Sequence, residues 1–187
     1  ATALLTGDAL QTLAFYVLSG ESNAAASRTR EMVEALGHAS GSAGMAGGQA
    51  IDLAAVGNTL DLAQLENMHM HKTGALIRAS VRLGALTNPG VDQSALERLD
   101  RYARCVGLAF QIRDDILDVE GDSATLGKQP GADKARNKPT YPALLGLNPA
   151  KRMALDLHEE ALASLEGFAS DADPLRWISD YIVSRVS

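Results

Sequence analysis

Hydrophobic residues recur every three or four positions along this chain and rarely alternate, which is typical of amphipathic helices. Alanine and leucine dominate, while β-branched and aromatic residues do not cluster into strand-like runs. The pattern predicts helices at residues 3–18, 24–38, 41–56, 60–86, 92–118, 149–166 and 174–186. We therefore expect an all-α fold.

Turn-forming residues separate these helices. Asn88, Pro89 and Gly90 interrupt the pattern, and Asp92 is placed to cap the helix that follows. Residues 121–142 contain several glycines, prolines and charges and show no helical periodicity. A loop of this length in a compact domain is usually functional, so we expect it to contribute to a site.

Composition narrows the classes of function. The 187 residues, 46% hydrophobic and 21% charged, fit one globular domain, and no uninterrupted apolar run predicts a membrane span. A net charge of -6 and an aromatic content of 4% argue against nucleic-acid binding. The single cysteine, Cys105, excludes an internal disulfide and favours a reducing compartment, so we expect a cytoplasmic protein. We expect Cys105 itself to be a small buried hydrophobe.

Carboxylates occupy the end of the apolar stripe on the helix at 92–118. Asp114 and Asp118 lie one turn apart on this stripe, and Asp115 lies about 100° away around the helix. Converging carboxylates beside an apolar face need cations, and Mg²⁺ usually binds through one or two carboxylates plus substrate phosphates. The motif is equally compatible with a solvated helix end. The preceding residues of the stripe are Leu99, Ala103, Val106 and Phe110.

Two other helices also carry polar groups among apolar positions. Lys72 lies between Met68 and Leu76, followed by Thr73 and Gly74; a lysine and a hydroxyl suit a diphosphate, although Lys72 alone would more simply extend to solvent.

Consecutive glycines thin the helix at 41–56. Gly47 and Gly48 precede Gln49, which shares a face with Asp52. This arrangement favours close packing against another helix or a ligand, and the two readings remain open.

The remaining polar features are less specific. Lys128 and Lys138 belong to a mixed-charge loop that is ordinarily solvated but would suit closure over phosphates. His69 and His71 are two residues apart, so a helix separates them, and we expect surface or packing roles. Trp177 is expected to anchor the last helix by packing.

Four strings together resemble one family. FQIRDDILD at 110–118 is similar to the second aspartate-rich motif of trans-isoprenyl diphosphate synthases, and GGQAIDL at 47–53 and HKTGAL at 71–76 are similar to two more of its motifs. Residues 126–142 resemble a fourth. The order and spacing match along essentially the whole chain, most closely the bacterial farnesyl diphosphate synthases, with plastid-type geranylgeranyl synthases further away.

The resemblance implies an isoprenoid synthase-type helical bundle around a central cavity, usually assembled as a homodimer. It implies that Mg²⁺, with Mn²⁺ as a substitute, binds Asp114, Asp115 and Asp118. It implies catalytic roles for Lys72, Asp114 and Lys128. The substrate-binding residues that it implies are Gln49, Lys72, Thr73, Phe110, Gln111, Lys128 and Lys138.

The implied reaction is prenyl transfer. Isopentenyl diphosphate condenses with dimethylallyl or geranyl diphosphate to give farnesyl diphosphate and diphosphate, through metal-assisted ionisation, condensation and elimination. Alternatives are a geranylgeranyl diphosphate synthase, a non-catalytic homologue or regulatory partner subunit of a prenyl synthase, and a helical terpene cyclase, whose usual second motif differs from the string here.

One family feature has no counterpart. Members carry a first aspartate-rich motif upstream of the segment that resembles residues 1–18, and this chain has none. We therefore expect residues 1–187 to be the C-terminal part of a single all-α prenyl synthase domain. We also expect exposed apolar surface, a tendency to aggregate and poor activity for the chain alone.

Overall fold

A computed structural model describes residues 1–20, 26–120 and 139–186. Every regular element in these three ranges is helical, which confirms the all-α prediction. The α-helices are α1 (Thr2–Ser19), α2 (Ala26–Ser40), α3 (Met45–Ala55), α4 (Leu62–His69), α5 (Ala75–Leu86), α6 (Gln93–Glu120), α7 (Tyr141–Leu145), α8 (Leu147–Ser164) and α9 (Asp173–Ser184).

Two features of the helices differ from the prediction near the candidate site residues. The helix expected at 60–86 is divided by a π-helical turn, Met70–Gly74, which joins α4 to α5 and is called the lysine turn below. Helix α7 was not predicted. Thr140 caps α7 by accepting a hydrogen bond from the Ala143 N–H at 3.3 Å, and Pro142 lies in its first turn.

Helix α6 is the centre of the fold. Its 28 residues span about 42 Å, and α5, α7, α8 and α9 all pack against it. Asp92 caps its start by accepting a hydrogen bond from the Ala95 N–H at 2.7 Å, as predicted. Tyr102 fastens α9 by donating its hydroxyl to the Leu175 carbonyl at 2.6 Å, and burial raises the pKa of Tyr102 to about 12. Cys105 is 2% exposed, which confirms its prediction as a buried hydrophobe.

A hydrophobic core lies at the C-terminal end of α6, where α4, α7 and α8 pack against it. Leu65, Ile112, Ile116 and Tyr141 are almost completely buried there. Gly146 joins α7 to α8 with a φ of 87°, a left-handed conformation that a glycine adopts without strain. After this sharp connection, the start of α7 lies against Asp115 of α6.

Some helices leave large apolar side chains in solvent. Helix α1 contains no buried residue within the described chain, and its exposed apolar side chains are Leu4, Leu5, Leu10, Leu13, Tyr16 and Val17. The expectation of exposed apolar surface is thereby confirmed. The expectation for Trp177 is wrong, because its side chain is 65% exposed and α9 is held by other residues. None of the helices in the described ranges is long and apolar enough to cross a membrane.

Candidate active site

Gly48 brings α3 against the backbone of the lysine turn. A Cβ atom at Gly48 would collide with the backbone of Lys72, because it would lie within 2.5 Å of both the backbone nitrogen and the Cα of that residue. Only a residue without a side chain allows so close an approach. The predicted close packing of the glycine pair is therefore confirmed for Gly48, and its neighbour is another segment of this chain.

The close approach of α3 to the lysine turn also pairs two side chains. The Lys72 ammonium lies 2.6 Å from the Asp52 carboxylate, and these side chains are 25% and 16% exposed. Lys72 therefore does not extend freely into solvent. A lysine ammonium has three donor hydrogens, so the contact with Asp52 leaves donors for another acceptor.

Helix α6 crosses the other side of the lysine turn. A Cβ atom at Gly107 would lie 3.4 Å from the Gly74 Cα, so the two backbones are in contact. Phe110, Gln111 and Asp114 follow Gly107 by three, four and seven residues and therefore share its face. Asp114 lies about 10 Å further along the helix. The lysine turn thus packs, through Gly74, on the same face of α6 that carries Asp114 about two helical turns further along.

The three aspartates differ in burial, which corrects their expected orientation. Asp115 and Asp118 are 7% and 2% exposed, whereas the Asp114 side chain is 46% exposed. The apolar stripe correctly placed Asp114 and Asp118 one turn apart but did not predict that Asp115 would be buried. Helices α7 and α8 cover the flank of α6 that carries Asp115, and helical periodicity contains no information about that neighbour.

Asp115 stabilises the start of α7. Its Oδ2 atom accepts a hydrogen bond from the Tyr141 N–H at 2.9 Å, one of the N-terminal donors that has no partner within the helix. The Tyr141 ring stacks on His69, with ring centroids 5.7 Å apart. Burial, and to a lesser degree the nearby Glu66 and Asp115, raises the pKa of Tyr141 well above its usual range. His69 has the packing role that was predicted.

Asp114 faces an arginine from the segment after α9. The Arg185 Nη2 atom lies 3.6 Å from the Asp114 Oδ1 atom, and the guanidinium lies 4.4 Å above the centre of the Phe110 ring. Together, residues 110–118 and the groups that contact them are called the aspartate end below.

The other candidate residues occupy varied environments. Thr73, Phe110 and Gln111 are partly buried, and Gln49 is exposed on α3. Lys128 and Lys138 lie outside the described residues. The structure thus packs the lysine turn against the face of α6 that carries Asp114, while the roles assigned to the individual residues stay predictions.

The convergence of two or three carboxylates on a cation stays a prediction. Within the described ranges, no group of three or more His, Cys, Asp or Glu side chains is arranged to hold a metal ion. Asp114 and Asp118 nevertheless lie one turn apart on one face of α6, and both carry hard carboxylate oxygens, although Asp118 is buried. Such a pair fits Mg²⁺, which commonly takes one or two carboxylates and completes its coordination with water and phosphate oxygens.

Two residues of this region were not assigned roles from the sequence. Asp52 could have been identified from the sequence, because it shares a helical face with Gln49 and a lysine within an apolar stripe needs a nearby acid. Arg185 had none, because it contacts residues 71 and 75 positions earlier in the chain. Contacts of that kind are visible only in the folded molecule.

Comparison with known proteins adds independent information. Residues 1–170 match the polyprenyl synthetase family. The chain is 53% identical to farnesyl diphosphate synthase of Escherichia coli (strain K12) over 190 aligned positions, covering 99% of this chain and 64% of that protein. The chain therefore spans less than two thirds of that relative's length.

Solved structures show the same fold. A putative farnesyl-diphosphate synthase from Marinomonas sp. MED121 superposes with a TM-score of 0.83 at 44% identity, covering 98% of this chain and 63% of that one. A geranyltransferase from Helicobacter pylori, complexed with magnesium and isoprenyl diphosphate, superposes with a TM-score of 0.78 at 35% identity, covering 97% of this chain and 59% of that one.

Proposed function

This chain belongs to the polyprenyl synthetase family, and we propose that it forms the C-terminal part of a prenyltransferase that makes farnesyl diphosphate. The substrates are isopentenyl diphosphate and an allylic diphosphate, either dimethylallyl or geranyl. The observation that carries the proposal is the contact between Gly74 and Gly107. It sets the lysine turn beside the helical face that bears Asp114.

Lys72 is suited to hold a diphosphate group in this reaction. Asp52 orients its ammonium at 2.6 Å, and Gly48 holds the backbone of the same residue in place. The donors that Asp52 does not use are available to phosphate oxygens, and Thr73 adds a hydroxyl donor beside them. Negative charge that develops on a departing diphosphate is stabilised most by donors that are already in position.

Mg²⁺ would be held by Asp114 and Asp118, with Asp115 as the third predicted ligand. Bound there, the metal supplies Lewis-acid stabilisation of the leaving diphosphate. The hydrogen bond from Tyr141 to Asp115 favours a supporting role for that residue, which would keep the end of α6 rigid. Phe110 and Gln111 lie between the two groups along α6 and would contact the substrate, as would Gln49, Lys128 and Lys138.

Turnover of defined substrates tests the proposal. The chain is incubated with Mg²⁺, isopentenyl diphosphate and geranyl diphosphate, and farnesyl diphosphate is measured by mass spectrometry. We expect little or no product from the chain alone, and any product that forms should require Mg²⁺ and be abolished in Asp114→Ala. Binding of a Mg²⁺–diphosphate complex that is lost in Asp114→Ala would count against a non-catalytic homologue or partner subunit, even if the chain alone shows no turnover.

The chain length of the product distinguishes a farnesyl from a geranylgeranyl diphosphate synthase. Geranylgeranyl diphosphate is the alternative, and it is less well supported than farnesyl diphosphate by the names of the similar proteins. Supplying farnesyl diphosphate as the allylic substrate distinguishes the two, because a farnesyl-forming protein should extend it poorly.

We also propose that the protein forms a homodimer, as the family resemblance implies. The apolar side chains of α1 in solvent support an association of this kind, since such patches are uncommon on monomers. Sedimentation equilibrium tests it, and a monomer across the micromolar range would contradict it.

A further inference from the structure

The segment after α9 folds back onto the aspartate end. Helix α9 ends at Ser184, and the backbone carbonyl of the next residue, Arg185, accepts hydrogen bonds from the Arg113 guanidinium, including one from Nε at 3.0 Å. The main chain of Arg185 is therefore fastened to α6, and its side chain begins from a fixed point.

The Arg185 side chain is confined between an aromatic ring and a carboxylate. Its guanidinium lies 4.4 Å above the Phe110 ring, and Nη2 lies 3.5 Å from the Phe110 carbonyl oxygen and 3.6 Å from the Asp114 Oδ1 atom. The side chain is only 12% exposed. A guanidinium held by stacking on a ring and by a fixed main chain loses little entropy when it meets an anion.

We propose that Arg185 is a positioning residue that acts as the counter-ion of Asp114 until a metal–diphosphate complex binds. This inference rests on the proposed function, because it takes Asp114 as a metal ligand. Arg185 neutralises the carboxylate in the metal-free protein and keeps it on the open side of α6. In this way Arg185 favours entry of the metal together with diphosphate over entry of the metal alone.

The expected consequence follows from the sign of each charge. A bare divalent cation must share Asp114 with a fixed positive guanidinium, so repulsion weakens its binding. A divalent cation that carries diphosphate is negative overall, so the same guanidinium attracts it through several N–H donors. Arg185 should therefore disfavour the metal alone and favour the metal–diphosphate complex.

Binding measurements on the full 187-residue chain test this inference without turnover. Mn²⁺ is titrated alone, with bound and free ion resolved by electron paramagnetic resonance, and then as an equimolar complex with inorganic diphosphate. For Arg185→Gln we expect Mn²⁺ alone to bind about fivefold more tightly and the diphosphate complex about fivefold more weakly. Opposite changes are the signature, because a purely structural role would weaken both.

Two further variants sharpen the test. Arg185→Lys keeps the charge without the planar fork, and we expect it to restore part of the preference for the complex. Arg104→Gln removes an exposed arginine of α6 about 15 Å from Asp114, and we expect little change in either titration. Thermal unfolding of each variant, followed by circular dichroism, identifies any that fail to fold.

The outcomes separate the two proposals. If Arg185→Gln binds both probes as the unaltered chain does, or binds both more weakly, the counter-ion role is wrong while the proposed function stands. If Arg185→Gln does not fold, Arg185→Lys decides the inference, and it overturns the counter-ion role if it binds both probes more weakly than the unaltered chain. If the unaltered chain does not bind the Mn²⁺–diphosphate complex, the metal site of the proposed function is wrong, and the inference falls with it.

Discussion

The lysine turn and the aspartate end hold their charged groups by different means. At the lysine turn, the backbone of α3 touches the backbone of Lys72 because Gly48 has no side chain, and Asp52 then meets the ammonium. At the aspartate end, side chains do the positioning, since Asp115 holds the start of α7 and Arg185 faces Asp114.

The difference predicts unequal tolerance to substitution. A charge positioned by backbone contact can be displaced only by moving a helix, so a small change there should have a large effect. A charge positioned by side chains should respond residue by residue, according to burial. Each prediction below tests one part of this contrast.

The largest effect is expected for Gly48→Ala. The added Cβ would collide with the Lys72 backbone, so α3 must move away from the lysine turn. We expect the free energy of unfolding to fall by about 2 kcal/mol or more, because overpacking against backbone cannot relax by a change of rotamer. Urea unfolding followed by circular dichroism measures it.

Gly84→Ala is the matched control for that variant. Gly84 lies in α5, and apart from the adjacent backbone of its own helix no atom lies within 4 Å of where its Cβ would be. The substitution should be neutral or stabilising by up to about 1 kcal/mol, because alanine favours helices. Equal destabilisation by the two variants would contradict the backbone contact at Gly48.

The two adjacent aspartates should differ from each other. Asp115→Ala removes a buried acceptor and leaves the Tyr141 N–H without it, so we expect a loss of about 1–3 kcal/mol in the free energy of unfolding. Asp114→Ala removes a half-exposed carboxylate and should cost about 0.5 kcal/mol. The same denaturant titrations compare them, and the reverse order would show that the burial of the two side chains is misassigned.

A double-mutant cycle measures how strongly Lys72 and Asp52 interact. The cycle compares the unaltered chain with Lys72→Met, with Asp52→Asn and with the double variant. The coupling free energy should be on the order of 1 kcal/mol, because both side chains are mostly buried. The exposed pair Arg30 and Glu34, 3.6 Å apart, serves as the reference and should couple by less than about 0.5 kcal/mol. A coupling free energy no larger than that of the reference pair would argue against the idea that Asp52 holds the Lys72 ammonium in position.

A small effect at neutral pH is expected for Tyr141→Phe, and it should grow in alkali. The Tyr141 hydroxyl is buried and has no hydrogen-bond partner among the described residues, so its removal should change the free energy of unfolding by less than about 1 kcal/mol at pH 7.

The sign of the pH dependence follows from the raised pKa of Tyr141. Above its ordinary pKa, near 10, the unfolded chain releases the phenol proton while the folded chain keeps it, so stability falls as pH rises. At pH 10.5 this costs the unaltered chain about 1 kcal/mol, and Tyr141→Phe avoids that cost. Urea unfolding at pH 7 and 10.5 measures the difference. A parallel decline in both chains would show that Tyr141 is not the buried phenol responsible.

Local features of the candidate site were predictable because they depend on short spacings. The step of four residues from Asp114 to Asp118 places both on one face of any helix, and the glycine pair at 47–48 indicated close packing. The chemistry proposed for the aspartates, Lys72 and Thr73 rests on residue type, and the family followed from four motifs in order. Prediction failed for Trp177, since an aromatic residue in an apolar stripe is buried only if another helix covers it.

By itself, the sequence determined most of the helices, the family and the groups available for chemistry, because periodicity, capping and residue type act over a few neighbouring residues. Only the tertiary structure decided that Gly48 rather than Gly47 contacts the lysine turn, that Asp115 is buried beneath α7, and that Arg185 faces Asp114. Those contacts join residues 24, 26 and 71 positions apart. Their partners are selected by how whole helices pack, and no local pattern contains that information.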